Sequence, residues 1–533
     1  MIVLINNNIE SMNYPNILNQ LKRTQLLKVI FLLVPVILTM GFEGSNDSTG
    51  MKMLGYVKSK SSKEIKSSPW GIQAGSLDEN ILAKASEIGV KWTRLEANWS
   101  LIEKEKGKFD YSGTDKGFNA ALDQGIIPFV TLDGTNTLYV KTRTDLDPKI
   151  IEVYGTHPLP PTSNPEAMNT WLNFVGKMVE RYKDKIKYWE IWNEPNHFAY
   201  WGDEPNAEDY GRLVNLTAKI IKKTDPSAFV IAGALAGLDP AFTDAFLKYK
   251  NNPELVDIIT FHNYGAIPEE RIYKALETWD VINKINPNIK LWQGECGYPS
   301  HSSTRDYRGI SPWGPTIHAK WLLRQSFTDT YFCRTSLSNY FKLFDSGNRA
   351  EKPVRSYLTK IDSVLGFPER GGNRVKVVGV NEKCLLENPD LKPKPGFQAY
   401  QNLCSVMNGN FSPVENRHEI SIKDVGVFYG IGSADDAFPS IPLVATYKRE
   451  NGNNITAYWL PWHPQEIIKP ATIDFKIYNL KFKNPVLIDP INGEVYKLKQ
   501  ESGNPGDLIL KNIPLTDYPM IIAEQEDIEI NCK

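Results

Sequence analysis

Between residues 70 and 344 the sequence repeats one pattern: a short apolar run, a longer stretch with apolar residues at helical spacing, then another apolar run. The runs fall at 70–74, 90–95, 126–132, 188–192, 229–234, 258–262, 290–294 and 339–344. They are too short for helices and apolar on both faces, as parallel strands covered on both sides are. The stretches between carry helix punctuation. Ser76-Leu77-Asp78-Glu79 has the form of a capping box, Ile81, Ala85 and Ile88 share a face, and Gly89 stands where a left-handed C-cap belongs. Further helices are expected near 115–124, 165–182 and 207–223. Eight strands alternating with helices over about 280 residues predict an α/β chain folded as a (β/α)8 barrel. The rival is a doubly wound open sheet, but no Gly-rich phosphate turn follows the first strand.

A barrel of this kind carries its chemistry at the carboxyl ends of its strands. The central run, Tyr188-Trp189-Glu190-Ile191-Trp192-Asn193-Glu194-Pro195-Asn196, ends in a polar couple followed by a proline that stops the ladder. Glu194 therefore lies at a strand end beside a hydrophobic wall, an environment that raises a carboxyl pKa and suits it to give a proton. About a hundred residues on, Leu291-Trp292-Gln293-Gly294-Glu295-Cys296-Gly297 delivers a second glutamate in the same manner. The interval corresponds to about three strand–helix units of roughly 30 residues, so Glu194 and Glu295 belong to one sheet edge. Arg94, in Trp92-Thr93-Arg94-Leu95-Glu96, is placed to hold a neighbouring glutamate ionised. His262 and Tyr264 close the sixth run, where an imidazole and a phenol can hydrogen-bond those acids or a ligand. Trp292 and the aromatics Tyr340, Phe341 and Phe344 of the eighth run are candidate stacking platforms. The loop residues Asp133, Asn136, Tyr139, His197, Tyr200 and Trp201 are expected to shape subsites.

Trp-Glu-Ile-Trp-Asn-Glu-Pro-Asn followed by Trp-Gln-Gly-Glu resembles the retaining glycoside hydrolases of clan A, with families thirty-nine and five nearest. The likeness extends over about residues 68–410. It implies Glu194 as acid/base after strand four and Glu295 as nucleophile ending strand seven. It also implies Asn193 on the sugar 2-hydroxyl and Arg94 beside the nucleophile. Clan members often end strand eight in tryptophan, whereas this chain has Ser338-Asn339-Tyr340-Phe341-Lys342. The implied mechanism is double displacement on an O-glycosidic bond of a plant- or algal-type polysaccharide or oligosaccharide, without a cofactor. A silent sugar-binding scaffold on a decayed barrel would be expected to lose one glutamate, and both are present.

With 533 residues, 41% of them apolar, the chain can bury a large core, and its net charge of −1 supplies no field for nucleic acid. The expected partner is carbohydrate, with neither nucleic acid nor an integral membrane protein. Seven histidines without a His-x-His pair argue against a metal-dependent hydrolase. Lys22, Arg23 and Lys28 precede an apolar run of 14 residues, 29–42, and residues 1–50 read as an export signal, with an uncleaved anchor as the alternative. Export to the periplasm or outside the cell follows. Residues 51–68 read as a linker, 69–410 as the barrel and 411–528 as a β-sandwich. In this last part Asn451-Gly452 and Asn492-Gly493 mark hairpins, and Ile473, Phe475 and Ile477 alternate with polar residues. Tyr458, Trp459 and Trp462 are available there for a carbohydrate-binding role. The five cysteines form neither a disulfide framework nor a metal-ligand pattern.

Overall fold

The eight apolar runs are strands, and they close on themselves. In order they are β1 (Trp70–Gln73), β2 (Trp92–Asn98), β3 (Ile127–Asp133), β4 (Tyr188–Ile191), β5 (Phe229–Ala236), β6 (Ile258–His262), β7 (Lys290–Cys296) and β8 (Ser338–Phe341). Each pairs in parallel with the next, and β1 pairs with β8, so the sheet has no free edge. The computed structural model describes residues 51–143, 145, 158–264, 267–300, 313–344, 383–387, 390–426, 441–462, 464–466, 468–501, 503–504 and 506–532. The export-signal expectation, residues 1–50, lies outside them.

The helices follow the sequence punctuation closely. Glu79–Ile88 starts after Asp78, whose carboxylate accepts from the Asn80 amide, and ends at Gly89 with φ 86°. The cap is thus Asp78 rather than Ser76, because the Ser76 hydroxyl is taken by the Asp78 amide. Pro165–Tyr182 opens with the Asn164 side chain on the Ala167 amide and buries Trp171, Phe174, Val175 and Met178 against the sheet. Pro395–Val406 closes the barrel, with Phe397, Tyr400, Leu403 and Cys404 buried as their spacing suggests.

The barrel interior is layered. At the amino ends of the strands Phe129, Ile231, Ile258, Trp292 and Leu337 form an apolar plug, with Trp92 and Tyr188 packed against it. Above the plug, toward the carboxyl ends, the filling is polar: Arg94, Thr131, Glu190 and Thr260 are all buried. This change of character along the axis decides where chemistry can happen.

Among the described residues, two larger antiparallel sheets complete the fold, beside a two-stranded ribbon of Leu386–Glu387 and Lys392–Pro393. One has eight strands and the other three, the latter made of His418–Asp424, Ala471–Ile477 and Leu508–Leu515. Both hairpins marked by Asn-Gly are present: Leu443–Arg449 pairs with Asn454–Trp459, and Pro485–Ile488 with Glu494–Lys497. Residues 51–68 are not simply a linker. Lys52–Val57 is a strand of the larger sheet, paired with Glu494–Lys497 and with Ile530–Asn531. Its partners lie more than 400 residues away, so nothing local announces it. Tyr458 and Trp459 are fully buried, which withdraws them from the surface role considered for them. Tyr458 donates to the Pro514 carbonyl, and the Trp459 indole donates to Glu269 on the barrel side.

Candidate active site

Arg94, on the inward face of β2, is the hub. Its Nε and Nη2 reach Oε2 of Glu190 at 2.7 and 2.6 Å, Nη1 donates to Oε2 of Glu295 at 2.7 Å, and Nη2 donates to Oδ1 of Asn193 at 3.0 Å. Glu190 also accepts from Thr131 at 2.7 Å and Thr260 at 2.5 Å. Burial pushes its carboxyl up, but the Arg94 charge, helped by His262 and the two hydroxyls, outweighs burial and holds it below the usual carboxylate range. Burial likewise pulls the Arg94 guanidinium down, and the charges of Glu190 and Glu295 more than restore it. Arg94 is therefore a fixed cation.

Glu295 receives a second donor. The Tyr264 hydroxyl lies 2.5 Å from its Oε1. Burial, then the Glu295 charge, keeps that phenol well above its ordinary pKa, so Tyr264 remains a donor. Glu295 thus has a guanidinium on one oxygen and a phenol on the other, two strong donors that fix its orientation. Glu194 has a different partner: its Oε1 is 3.0 Å from Nδ1 of His262, which stands 4.0 Å from Oε2 of Glu295. One oxygen of each glutamate and a ring nitrogen of His262 all lie within 4.8 Å of one another. Such a trio is also the spacing of a cation site, but the Arg94 guanidinium on Glu295 already supplies the positive charge there.

Backbone irregularities aim these side chains. Successive strand residues face opposite sides, yet both Asn193 and Glu194 reach into the barrel mouth. Trp192 at φ 69° and Glu194 at φ 47° adopt left-handed conformations that turn the chain between them. Such positions cost on the order of 1–3 kcal/mol each and persist where the surroundings over-determine them. Here the Trp192 amide donates to the Leu132 carbonyl and the Glu194 amide to the Ala234 carbonyl, both at 2.9 Å. The Trp192 indole is wedged between Trp171 and Trp201. A bulge between Phe261 and His262 pairs His262 with Glu295, skipping Gly294. Without it the imidazole would sit one residue out of step with the acids.

Four of the expected residues thus surround the two acids: Arg94, Asn193, His262 and Tyr264 around Glu194 and Glu295 make one connected cluster. Two do not join it. Trp292 belongs to the plug at the other end of the barrel, with its indole donating to Ser336 at 2.9 Å; it lies two residues into β7, too near the amino end to meet a ligand. Tyr340 faces outward into the helix layer, where its hydroxyl meets His318 at 2.5 Å and its ring meets Tyr400. Its neighbour Phe341 takes the inward position, edge-on to Tyr264 at 6.0 Å. Asn136 and Tyr139 bind Glu103, and Trp201 is core, so these three hold loops rather than subsites. His197 caps the helix Phe198–Trp201, accepting from the Ala199 amide. Glu190 joins the cluster from inside the central motif, and a charge in the middle of a buried strand is the sequence signal for it. Glu96, two residues beyond Arg94 on β2, lies on the same face of the strand.

Gln73, Arg94, Glu96, Asn98, Phe341 and Lys342 line a cavity of about 540 Å³ at this end of the barrel. A larger one, about 900 Å³, lies at the amino ends of the strands beside Trp92 and Ser336, away from Glu194, Glu295 and their partners. Chemistry rather than size marks the site.

Comparison with known proteins converges on the same segment. Residues 92–291 match the model of Glycosyl hydrolases family 39. That span runs from the start of β2 into β7 and contains Arg94, Asn193, Glu194, His262 and Tyr264, stopping short of Glu295. Among curated proteins, the chain is 31% identical over 110 residues to a beta-xylosidase of Geobacillus stearothermophilus, covering 19% of this chain and 22% of that one. It is 27% identical over 139 residues to endo-1,4-beta-xylanase 5 of Arabidopsis thaliana, covering 26% and 22%. The matched stretch thus spans about a fifth of the length of these relatives. Among solved structures, a family 39 glycoside hydrolase from Bacteroides cellulosilyticus aligns with a TM-score of 0.57 at 16% identity, over 86% of this chain and 81% of that one. A monomeric beta-xylosidase from Caulobacter crescentus aligns with a TM-score of 0.52 at 16% identity, over 88% and 97%. At that identity these structures speak for the shared fold.

Proposed function

We propose that this protein is a retaining glycoside hydrolase that cleaves O-glycosidic bonds by double displacement. The observation that carries the reading is the approach of Glu194 and Glu295, with oxygens within 4.8 Å of one another. Retaining enzymes hold their two carboxyl groups about 5–5.5 Å apart, which leaves no room for a water between sugar and base. Glu295, held by Arg94 and Tyr264, attacks the anomeric carbon while Glu194 gives its proton to the departing oxygen. Glu194 then takes a proton from water, whose oxygen displaces Glu295 and frees the sugar. With Oδ1 of Asn193 committed to Arg94, its amide nitrogen is the end turned to the sugar, suited to a 2-hydroxyl contact that strengthens in the transition state. His262 positions Glu194.

The substrate class is a plant- or algal-type polysaccharide or oligosaccharide, supported by the similarity to proteins named beta-xylosidase and endo-1,4-beta-xylanase. Export is supported by the basic flank and apolar run of residues 22–42. Among the described residues no helix is long and apolar enough to cross a membrane. A panel of aryl β-glycosides assayed with wild type, Glu194→Ala and Glu295→Ala tests the roles. Glu295→Ala is expected to be inactive on every substrate. Glu194→Ala is expected to lose about 10²–10⁴-fold on poor leaving groups, to keep activity on activated ones, and to recover partly with azide. Equal, modest losses from both changes would overturn the assignment.

A further inference from the structure

We propose that Glu96 and Asp133 form a carboxyl pair that reads the hydroxyls of an uncharged glycone and turns away uronic acids, an assignment that rests on the glycosidase reading above. Arg94, Glu96 and Asn98 alternate along β2 and line one cavity together. Asp133 ends β3 directly opposite Asn98.

The Asn98 side chain is clamped. Its Oδ1 caps the helix Trp99–Ile102, accepting from the Ser100 amide at 3.1 Å, the Ser100 hydroxyl at 2.8 Å and the Leu101 amide at 3.3 Å. Its Nδ2 must then point the other way, 2.8 Å from Oε1 of Glu96 and 3.5 Å from Oδ1 of Asp133. Gly134 is part of this arrangement, since a Cβ there would stand 2.5 Å from Asn98 Oδ1. The two carboxyls are thus drawn to one amide nitrogen and face each other across it. Burial, then the Glu96 charge, pushes the Asp133 carboxyl well up; Arg94 pulls it back and Glu190 adds to the rise.

With a proton on the more buried Asp133, the pair offers one O–H donor, several acceptor oxygens and a single negative charge. Neighbouring sugar hydroxyls, each a donor and an acceptor, match that set. A uronate carboxylate brings a second anion to the same place and meets repulsion in a partly buried setting. Gln73 adds an acceptor: its Oε1 is shielded from solvent, has no hydrogen-bond partner among the described residues, and its side chain borders the same cavity. Lys104 and Lys342 also border it and would favour a uronate, so the two influences oppose each other and a measurement decides between them.

The test is calorimetric binding of non-hydrolysable aryl thio-β-glycosides (xyloside, glucoside and glucuronide) to the full chain as wild type, Glu96→Gln and Asp133→Asn. Wild type is expected to bind the neutral ligands at least about 10-fold more tightly than the glucuronide. Each variant is expected to weaken the neutral ligands by about 10- to 100-fold, the loss of a charged hydrogen bond, and to narrow the gap to the glucuronide. Glu96 is exposed, so Glu96→Gln keeps the test alive if Asp133→Asn unfolds, which circular dichroism reports. Unchanged affinities in Glu96→Gln would overturn the proposal. So would a wild type that prefers the glucuronide or binds no neutral ligand. Turnover of activated aryl glycosides by wild type is measured alongside: discrimination without turnover defeats the hydrolase reading and leaves the pair standing.

Discussion

Arg94 joins Glu190, Asn193 and Glu295 through one guanidinium, so stability and chemistry meet at a single residue. Arg94→Met leaves Glu190 buried without its counter-charge and is expected to cost about 3–5 kcal/mol in urea unfolding. Adding Glu190→Leu removes the stranded charge and is expected to restore most of that stability, while activity stays lost because Glu295 still lacks its cation. Recovery of both together would contradict the division of labour. Asp489, between Pro485–Ile488 and Glu494–Lys497, has its carboxyl raised to about 6, chiefly by burial. In the unfolded chain it titrates near 3.9. Between about pH 4 and 6 the folded state therefore holds a proton that the unfolded state has released. Its contribution to stability is greatest below pH 4 and is lost as pH rises through about 6. Asp489→Asn is expected to match wild type near pH 4 and to be about 1–2 kcal/mol more stable at pH 7, read from urea midpoints at the two pH values.

At the scale of elements, what the sequence made legible was whatever local pattern encodes. The strand ends of β4 and β7 were readable because Asn193-Glu194-Pro195 and Gly294-Glu295 break apolar runs abruptly. The left-handed turn at Trp192 and the bulge before His262 leave no such mark, since each depends on a neighbouring strand. Height along the barrel axis was equally hidden. Trp292 and Glu295 are three residues apart in one strand, yet the first plugs the amino end and the second faces the mouth. On β8, Tyr340 and Phe341 differ only in parity, and the pairing of Tyr340 with Ile72 and of Phe341 with Gln73 settles which one points inward. The placement of Trp292 has a measurable consequence. Trp292→Ala is expected to lose about 3–5 kcal/mol of stability, while the folded fraction keeps kcat/KM within about threefold. A tryptophan that stacked on sugar would show the reverse, a large rise in KM with little change in the unfolding midpoint.

The barrel and the antiparallel sheets behave as one body because charges buried between them are paired across the boundary. In the helix Pro315–Phe327, Arg324 forms a two-pronged bond to Glu269, with Nε and Nη2 each 2.8 Å from a carboxylate oxygen. Its Nη1 reaches the Trp462 carbonyl at 2.6 Å, and the Trp459 indole donates to the same Glu269 at 2.9 Å. Four residues earlier on that helix, Lys320 pairs with Asp517 at 2.9 Å. Buried pairs of this kind add little net stability compared with apolar packing, but breaking one is expensive because the partner is stranded. The strand Lys52–Val57 strengthens the coupling, since the chain must lay it into the larger sheet before the first barrel strand begins. A structure joined in this way is expected to unfold in one cooperative step, with coincident fluorescence and circular dichroism transitions. Glu269→Ala is expected to cost about 3–5 kcal/mol and to separate the two probes, because Arg324, stacked on Trp321, then loses the carboxylate it grips with two nitrogens. Coincident transitions in that variant at wild-type midpoint would mean that the apolar contact alone holds the sheets to the barrel and that the ion pairs merely set its register.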